Sequence, residues 1–155
     1  MEIRSAGLAD SAALLEIYGA YLDTPITFEC QRPTEAEFAG RIAGICGEYP
    51  YLVCLEEGRI AGYAYAHRQG ERAAYQWSAE LSIYLDRART ARGLGKRLYG
   101  ALLDILRLQG VRTVYGRVTM PNERSEGLHR SLGFRRLSTY RNPGYKCRAW
   151  RHVAC

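Results

Sequence analysis

AYQWSAELSIYLDRARTARGLGKR, residues 74–97, is the stretch that decides the fold. Its first half alternates between apolar and more polar side chains, and this period of two predicts a long β-strand over Ala74–Leu85. Glu80 then lies in the middle of the strand, on its more polar face. The second half contains two glycines and then apolar residues at helical spacing, which predicts a helix from about Gly93 to Gln109.

Patterns on either side of this stretch predict the remaining elements. Those before it are a strand at Ile3-Arg4, a helix from Asp10 to Thr24-Pro25, a helix from Thr34 to just before Tyr49-Pro50, and a hairpin of Tyr51–Glu56 with Arg59–His67. Those after it are a strand at Thr113–Thr119, a helix from Asn122 to about Leu132, and strands at about Phe134–Tyr140 and Tyr145–Val153. The order βααβββαβαββ indicates an α+β fold with helices on both faces of a mixed sheet.

The composition is that of an ordinary folded protein, with 155 residues of which 47% are hydrophobic and 25% charged. This excludes intrinsic disorder and predicts one domain over residues 1–155. No apolar run approaches the ~18–20 residues of a membrane span, and the start lacks the pattern of a signal peptide. We therefore expect a cytoplasmic protein without a membrane partner. The five cysteines include no C-x-x-C pair, so we expect no disulfide framework and no metal site.

The chain is basic, with a formal net charge of +6 and 22 Lys and Arg residues. Many of these cluster at 87–97 and 135–151. A basic surface favours a phosphate-bearing partner, either a nucleic acid or a phosphorylated cofactor. A solvated arginine-rich surface is the alternative that composition alone leaves open.

The turn TARGLGKR, residues 90–97, joins the long strand to the following helix. Glycines there let the backbone approach a phosphate, and the unpaired first-turn N–H groups of the helix point at it. The turn is not a Walker A loop, and it lacks the third glycine of a dinucleotide-binding fingerprint. Taken alone, it predicts either a pyrophosphate site or an ordinary helix start.

A second motif, PNERSEGLHRSLGF over Pro121–Phe134, lies further along the chain. A basic R-G-x-G turn after a strand, followed by a strand, N-x-x-S, a helix and L-G-F, resembles the GCN5-related N-acetyltransferase (GNAT) superfamily. Along nearly its whole length the chain resembles the phosphinothricin acetyltransferase branch. The matching pieces, in order, are Ile3–Ala6, Ile17-Tyr18, Tyr49–Val53, Gly62–Ala66, Arg72–Tyr84, Leu128–Phe134 and Gly144–Trp150.

The resemblance implies a mainly antiparallel central sheet flanked by helices and a binding site for acetyl-CoA. The residues implied to contact it fall into three groups. The backbone of Ile83, Tyr84 and Leu85 pairs with the pantetheine arm, and the amides of Arg92, Gly93, Leu94, Gly95, Lys96 and Arg97 hold the pyrophosphate. Asn122 contacts the pantetheine or acetyl region. The chain departs from the family at Thr90, where a Gln or Arg is usual. Because most of these contacts are made by the backbone, we expect the site to survive this change.

Glu80 matches the general base proposed for the family. A primary amine is mostly ammonium at neutral pH and must lose a proton before it attacks a thioester. The ordinary glutamate pKa of about 4.3 is low for this task, and we expect burial beside Tyr75 and Trp77 to raise the pKa of Glu80. The alternative is a solvated strand glutamate without a catalytic role.

His129 occupies the position at which many GNAT enzymes carry a tyrosine that protonates the departing thiolate. An imidazole with a pKa near 6.5 could supply that proton. The alternative is a structural histidine of the helix.

The resemblance also implies the acceptor site. Arg72 and Tyr75 match positions that grip an acidic, amino-acid-like molecule, and Phe28 matches a pocket wall; guanidinium pairs well with carboxylate or phosphinate. We therefore expect an acceptor of the phosphinothricin or methionine sulfoximine type. Gln69-Gly70-Glu71 replaces a bulkier and more basic family segment, so we expect a more open pocket and a shifted selectivity.

Two alternatives from other functional classes stay open at the level of sequence. A nucleic-acid-binding domain would explain the charge, although no helix-turn-helix, zinc-finger or RNA-recognition signature is present and we expect no nucleic-acid partner. A non-catalytic CoA-binding regulator would keep the turn and lose the base, and Glu80 argues against it. Other acceptors, such as polyamines or peptide N-termini, are compatible with the same chemistry. The family commonly pairs as dimers, so a homodimer is possible.

Overall fold

The computed structural model describes residues 1–89 and 93–155. The helices are α1 (Ser11–Gly19), α2 (Glu35–Cys46), α3 (Leu94–Leu108) and α4 (Glu123–Ser131), with 3₁₀ turns at Leu8–Asp10, Ala73–Tyr75 and Arg87–Arg89. The strands are β1 (Glu2–Ser5), β2 (Tyr51–Glu56), β3 (Arg59–Arg68), β4 (Ser78–Leu85), β5 (Thr113–Gly116), β6 (Val118–Thr119), β7 (Thr139–Lys146) and β8 (Ala149–Ala154).

Within the described residues the strands form two sheets. The larger has the order β1-β2-β3-β4-β5 and is antiparallel except for the parallel β4–β5 pair. The smaller has the order β6-β8-β7 and is antiparallel. The predicted α+β fold, with a mixed, mainly antiparallel sheet flanked by helices, is confirmed.

The larger sheet has a buried core on each face. On the α3 face, β2, β3 and β4 pack against Leu94, Leu98, Leu102 and Leu106. On the α1–α2 face, the opposite side chains of the same strands pack against the two N-terminal helices. Because side chains alternate along a strand, Ile83 and Leu85 of β4 join the α3 face, whereas Tyr84 joins the α1–α2 face. Glu80 and Ser82, which share the parity of Tyr84, therefore also lie on the α1–α2 face.

Two predicted strands differ from the structure near the site. The strand expected from Ala74 begins only at Ser78, because Ala73–Tyr75 form a 3₁₀ turn. The strand expected over Thr113–Thr119 divides at Arg117, so that β5 stays in the larger sheet and β6 pairs with β8 in the smaller one. Alternation of side chains carries no information about which partner each half of a strand will find.

The last hairpin also differs from its prediction. The prediction places strands over about Phe134–Tyr140 and Tyr145–Val153, with a break at residues 141–144. In the structure this segment is an irregularity inside β7, and the chain turns at Cys147 and Arg148, whose φ angles are 53° and 59°. Of the strand expected from Phe134, residues 134–138 are not in strand.

No helix in residues 1–89 or 93–155 is long and apolar enough to cross a membrane.

Candidate active site

A wedge opens between β4 and β5. The two strands pair from Ser78 opposite Thr113 to Leu81 opposite Gly116, where β5 ends. β4 continues to Leu85 and keeps β3 as its partner on the other side. Within the described residues, the last part of β4 therefore has no partner strand on the wedge side.

The backbone of Ile83 and Leu85 faces this wedge. The Asp86 N–H donates to the Ala61 carbonyl at 2.9 Å on the β3 side, and backbone groups alternate along a strand, so Leu85 and Ile83 point the other way. The Leu85 carbonyl accepts a hydrogen bond from the Tyr21 hydroxyl at 2.5 Å. By the same alternation the backbone of Tyr84 faces β3, so the expected backbone role fits Ile83 and Leu85 but not Tyr84.

The first turn of α3 borders the wedge. Its N-cap residue Gly93 has φ 76°, a conformation that favours glycine. The first backbone bond of the helix runs from the Arg97 N–H to the Gly93 carbonyl at 3.2 Å, so the N–H groups of Leu94, Gly95 and Lys96 precede it. These are the donors that a helix start offers to an anion. Arg92, with its expected contact, and Thr90, at which the chain departs from the family, lie outside the described residues.

Gly95 lets α3 approach its neighbours closely. A Cβ at this position would lie 3.1 Å from Leu128 Cδ2 and 3.5 Å from Leu85 Cδ1. The glycine therefore has a packing reason besides any contact with a ligand. Lys96 and Arg97, which follow it, are exposed.

The wedge and the helix start enclose a cleft of about 570 Å³. Its walls include Ile83 and Leu85 from β4, Gly93 to Lys96 from α3, and Asn122. Asn122 caps α4, with its Oδ1 accepting the Ser125 N–H at 3.2 Å. A strand edge along one wall and helix N–H groups at its end fit a long amide-containing arm that carries a diphosphate, so the cleft fits acetyl-CoA.

Glu80 lies on the α1–α2 face of β4, and 14% of its side chain is exposed. Its Oε2 is 3.2 Å from Arg117 Nε, and its Oε1 is 3.9 Å from His67 Nε2. Tyr75 and Trp77, which were expected to bury it, are 46% and 52% exposed. Their rings lie against Gly70 and Gly110 instead. The expected aromatic surroundings of Glu80 are wrong: Tyr75 lies in the 3₁₀ turn before β4, and Trp77 packs against Gly110 just after α3, because side chains of odd and even residues of a strand point to opposite faces.

His129 is held by its own helix and by aromatic rings. Its Nδ1 lies 2.8 Å from the Ser125 carbonyl, which can only accept, so Nδ1 carries the hydrogen. Nε2 is buried, has no hydrogen-bond partner in the described chain and points at Gly116, where a Cβ would lie only 2.4 Å from it. The rings of Tyr99 and Phe134 lie 5.5 and 5.1 Å away. Burial lowers the pKa of His129 below its ordinary value, and the Ser125 carbonyl opposes this shift.

A small cavity of about 60 Å³ lies where these groups meet. Tyr84, Arg117, Asn122 and His129 all line it. Arg117 links this cavity to Glu80 through the ion pair described above. The structure thus brings together the predicted Glu80, His129, Asn122 and the end of β4.

Of the three predicted acceptor residues, the structure brings Arg72 and Tyr75 together but not Phe28. The Tyr75 N–H donates to the Arg72 carbonyl at 2.9 Å, and the Tyr75 ring lies against Gly70, which lines the same cleft as Arg72. Arg72 lines a cleft of about 550 Å³ with Arg68, Tyr49 and Gln109. Tyr49 belongs to the core of the α3 face, so this cleft lies across the sheet from Glu80. Phe28 does not line this cleft. It packs against Gly144, where an added Cβ would be 2.5 Å from the Phe28 ring.

Lys146 is a residue of this region that sequence reasoning missed. Its side chain is buried, and its Nζ donates to the carbonyls of Thr27 and Glu29 at 2.7 and 2.5 Å. It thereby fixes the segment that carries Phe28. Two signals could have marked it: its place in the Gly144–Trp150 piece that matches the family, and its rarity as one of two lysines in an arginine-rich chain.

Arg117 was missed as well. It stands between β5 and β6, where the sequence shows a continuous strand, so only the separation of the two sheets reveals it. No group of three or more His, Cys, Asp or Glu side chains in residues 1–89 and 93–155 could hold a metal ion.

Comparison with known proteins agrees with this geometry. The sequence model of the Acetyltransferase (GNAT) domain matches residues 3–154. The chain is 36% identical over 154 residues to phosphinothricin N-acetyltransferase of Streptomyces viridochromogenes, covering 99% of this chain and 84% of that protein. It is 32% identical to the L-methionine sulfoximine/L-methionine sulfone acetyltransferase of Salmonella typhimurium, covering 97% of this chain and 89% of that protein.

A solved structure is also similar. The phosphinothricin acetyltransferase of Sinorhizobium meliloti in complex with acetyl-CoA superposes with a TM-score of 0.95 at 35% identity, covering 99% of this chain and 84% of that one.

Proposed function

Because the chain belongs to the acetyltransferase (GNAT) family, we propose that it moves the acetyl group of acetyl-CoA to the α-amine of a small amino-acid-like acceptor of the phosphinothricin or methionine sulfoximine type. N-acetyl transfer from acetyl-CoA is the activity of the family and of the relatives. The acceptor class rests on the substrates in the names of those relatives.

The observation that carries the proposal is the opening of the sheet beside a helix start. The Ile83 and Leu85 backbone groups offer strand-like pairing to the amides of the pantetheine arm. The N–H groups of Leu94, Gly95 and Lys96 lie at the end of the cleft at which the diphosphate of the cofactor would bind. The exposed Lys96 and Arg97 add positive charge there. When bound there, acetyl-CoA supplies a thioester that an uncharged amine can attack.

Glu80 is the proposed proton acceptor. The ammonium group of the acceptor gives a proton to a Glu80 carboxylate oxygen, directly or through one water, and the freed amine attacks the acetyl carbon. The N–C bond forms, the C–S bond breaks, and the second proton that the attacking nitrogen loses balances the one taken up by the leaving thiolate. Arg117 holds Oε2 at 3.2 Å and so leaves Oε1 as the oxygen that faces His67 and the acceptor.

His129 is proposed as a positioning residue rather than the proton donor. With its hydrogen on Nδ1 and bonded to Ser125, its free Nε2 accepts protons and has none to give. Its lowered pKa keeps it neutral near pH 7. Its ring joins α4 to Gly116 at the point where β5 ends, and this contact fixes one wall of the wedge.

A thiol-release assay with acetyl-CoA tests the proposal. The panel contains phosphinothricin, methionine sulfoximine, methionine sulfone, common amino acids, spermidine and a peptide N-terminus, with an amine-free reaction as the control for hydrolysis. We expect turnover with the amino-acid analogues and little with spermidine or the peptide. Turnover confined to spermidine or the peptide would refute the acceptor class. No turnover with any amine, together with salt-dependent retention on DNA, would refute the enzymatic function.

A homodimer and a cytoplasmic location are also proposed. Exposed aromatic side chains on the β7–β8 hairpin, Tyr140, Tyr145 and Trp150, support association of two copies. Light scattering of the purified protein tests the dimer, and cell fractionation tests the location.

A further inference from the structure

A second cavity lies on the same face of the sheet as Glu80. It has a volume of about 230 Å³ and lies between helix α2 and the strands of the larger sheet. Its walls are mainly aromatic, and the seven rings that line it are Tyr18, Phe38, Tyr51, Tyr63, Tyr65, His67 and Tyr84. We call it the tyrosine cavity.

The walls of the tyrosine cavity are stacked on one another. The Tyr51 and Tyr65 ring centroids are 4.7 Å apart, and Tyr63 stacks on Tyr51 at 5.8 Å and on Tyr84 at 5.5 Å. Tyr51 and Tyr63 are 4% and 1% exposed. Interiors are otherwise close-packed, so a space of this size between fixed rings is a preformed pocket.

The tyrosine cavity adjoins the proposed reaction centre at two points. His67 lines it, and His67 Nε2 is 3.9 Å from Glu80 Oε1. Tyr84 lines both the tyrosine cavity and the small cavity that contains Asn122 and His129. A molecule whose amine faces Glu80 therefore has this cavity within reach of its side chain.

The charges around the tyrosine cavity disfavour an ionised occupant. Arg41 lines it, but the Arg41 charge is balanced by a two-point ion pair with Glu29, at 2.5 and 2.8 Å. No carboxylate of the described chain lines it, so a cationic side chain would find no partner. Taking a charge out of water without a partner is costly, whereas the ring faces and neutral hydroxyls suit an apolar or dipolar group. At the ~30 Å³ that one water takes up in the liquid, the cavity holds roughly seven groups of that size.

Resting on the proposed function, we propose that the tyrosine cavity receives the acceptor's side chain and selects α-amino acids whose side chain is long and uncharged. Methionine sulfone is an acceptor of this class. Phosphinothricin has a side chain of similar length that ends in an anionic phosphinate. Alanine is too short to enter the cavity, and lysine brings an unpaired cation into it.

The first test uses the unaltered protein. Steady-state kinetics at saturating acetyl-CoA are compared for methionine sulfone, phosphinothricin, alanine and lysine. We expect kcat/KM for methionine sulfone to exceed that for each of the others at least tenfold. A kcat/KM for phosphinothricin equal to or above that for methionine sulfone would show that the cavity does not select uncharged side chains. A kcat/KM for alanine equal to that for methionine sulfone would show that the cavity does not bind the side chain.

The second test fills the cavity. Ile45 on α2 lines it, so Ile45→Trp should raise KM for methionine sulfone at least tenfold while KM for acetyl-CoA and kcat/KM for alanine stay within about twofold. Ala43→Ser, at an exposed position of the same helix that does not line the cavity, is the control and should behave as the unaltered protein. An Ile45→Trp protein that folds and keeps its KM for methionine sulfone would refute the pocket.

These outcomes are distinct from failure of the proposed function. If no amine is acetylated by the unaltered protein, the enzymatic proposal fails. If amines are acetylated without regard to the length and charge of the side chain, only the tyrosine cavity proposal fails. Because the first test needs no variant, the inference remains testable even if Ile45→Trp does not fold.

Discussion

Arg117 and Glu80 form an ion pair, with 3.2 Å between Arg117 Nε and Glu80 Oε2, across the point at which β5 leaves β4. The pair ties the proposed base to the residue that separates the two sheets. The ion pair fixes Oε2 of the Glu80 carboxylate and leaves Oε1 for the acceptor.

Glu80→Gln keeps the size of the side chain and removes the base. Turnover should fall roughly 10²–10⁴-fold, whereas acetyl-CoA affinity measured by calorimetry should be unchanged. Arg117→Met is the matched variant: it keeps the base and removes its partner, so kcat should fall less than in Glu80→Gln. Equal turnover of Glu80→Gln and the unaltered protein at every pH would assign proton removal to another group or to water.

Gly93→Val should weaken acetyl-CoA binding. The φ of 76° at Gly93 is strained for a β-branched residue, which costs on the order of 1–3 kcal/mol and displaces the amides at the helix start. Calorimetry with acetyl-CoA gives the affinity. Gly100→Ala in the same helix, where an added Cβ meets open space, is the control and should bind normally. Unchanged affinity in Gly93→Val would remove this turn from the binding site.

Arg72→Ala tests whether the acceptor site extends to the cleft on the α3 side. The cleft of Arg72 lies across the sheet from Glu80, so Arg72 cannot hold the α-carboxylate of an acceptor whose α-amine faces Glu80, and KM for amino-acid acceptors should stay close to that of the unaltered protein. One charge-assisted contact is worth about 1.5–3 kcal/mol, so a roughly ten- to hundredfold rise in KM would instead bring Arg72 into the acceptor site. The control is Arg68→Ala. Arg68 lines the same cleft, but its guanidinium is paired with Glu48 at 3.0 Å, so its loss should change KM little. Equal KM values for both variants would confine the acceptor to the face that carries Glu80.

His129 should make stability depend on pH. Its pKa is lower in the folded protein than in the unfolded chain, so the unfolded chain binds the proton first as pH falls. The free energy of unfolding should be highest above the unfolded pKa of about 6.5 and should decrease as pH falls towards the folded pKa. Urea denaturation over this range should show the decrease in the unaltered protein and less of it in His129→Gln.

The activity of the same His129→Gln variant tests the role of the side chain. A positioning residue predicts a fall in kcat of less than about tenfold, whereas loss of a proton donor typically costs about 10²–10⁴-fold. A large fall in kcat with acetyl-CoA affinity and stability intact would restore His129 as the donor.

Lys146→Met should loosen the segment that carries Phe28. It removes hydrogen bonds to the Thr27 and Glu29 carbonyls, each worth about 1.5–3 kcal/mol when the donor is charged. Thermal unfolding should shift downwards, and KM for the acceptor should rise while KM for acetyl-CoA stays the same. Lys146→Arg, which keeps the charge and donors, should recover part of the loss. If Lys146→Met alters stability alone, the segment is not part of the acceptor site.

The helices, most of the strands and the elements that border the cleft of about 570 Å³ could be predicted from the sequence. Each depends on residues that are close in the chain: alternation in β4, the apolar stripe of α3, the glycines at the start of α3 and the cap at Asn122. Local backbone preferences, and the need of each helix or strand to bury its apolar face, determine such features independently of which neighbouring element covers that face.

The surroundings of Glu80 were decided by the tertiary structure. Arg117, His67 and the tyrosine cavity come from separate strands and helices, and Arg72 lies across the sheet although it is near Glu80 in the sequence. Side-chain alternation predicts that a strand has two faces but not which helix covers each face or where a neighbouring strand leaves. Those depend on how the two sheets and the helices exclude water together, and this packing places the proposed base beside the tyrosine cavity.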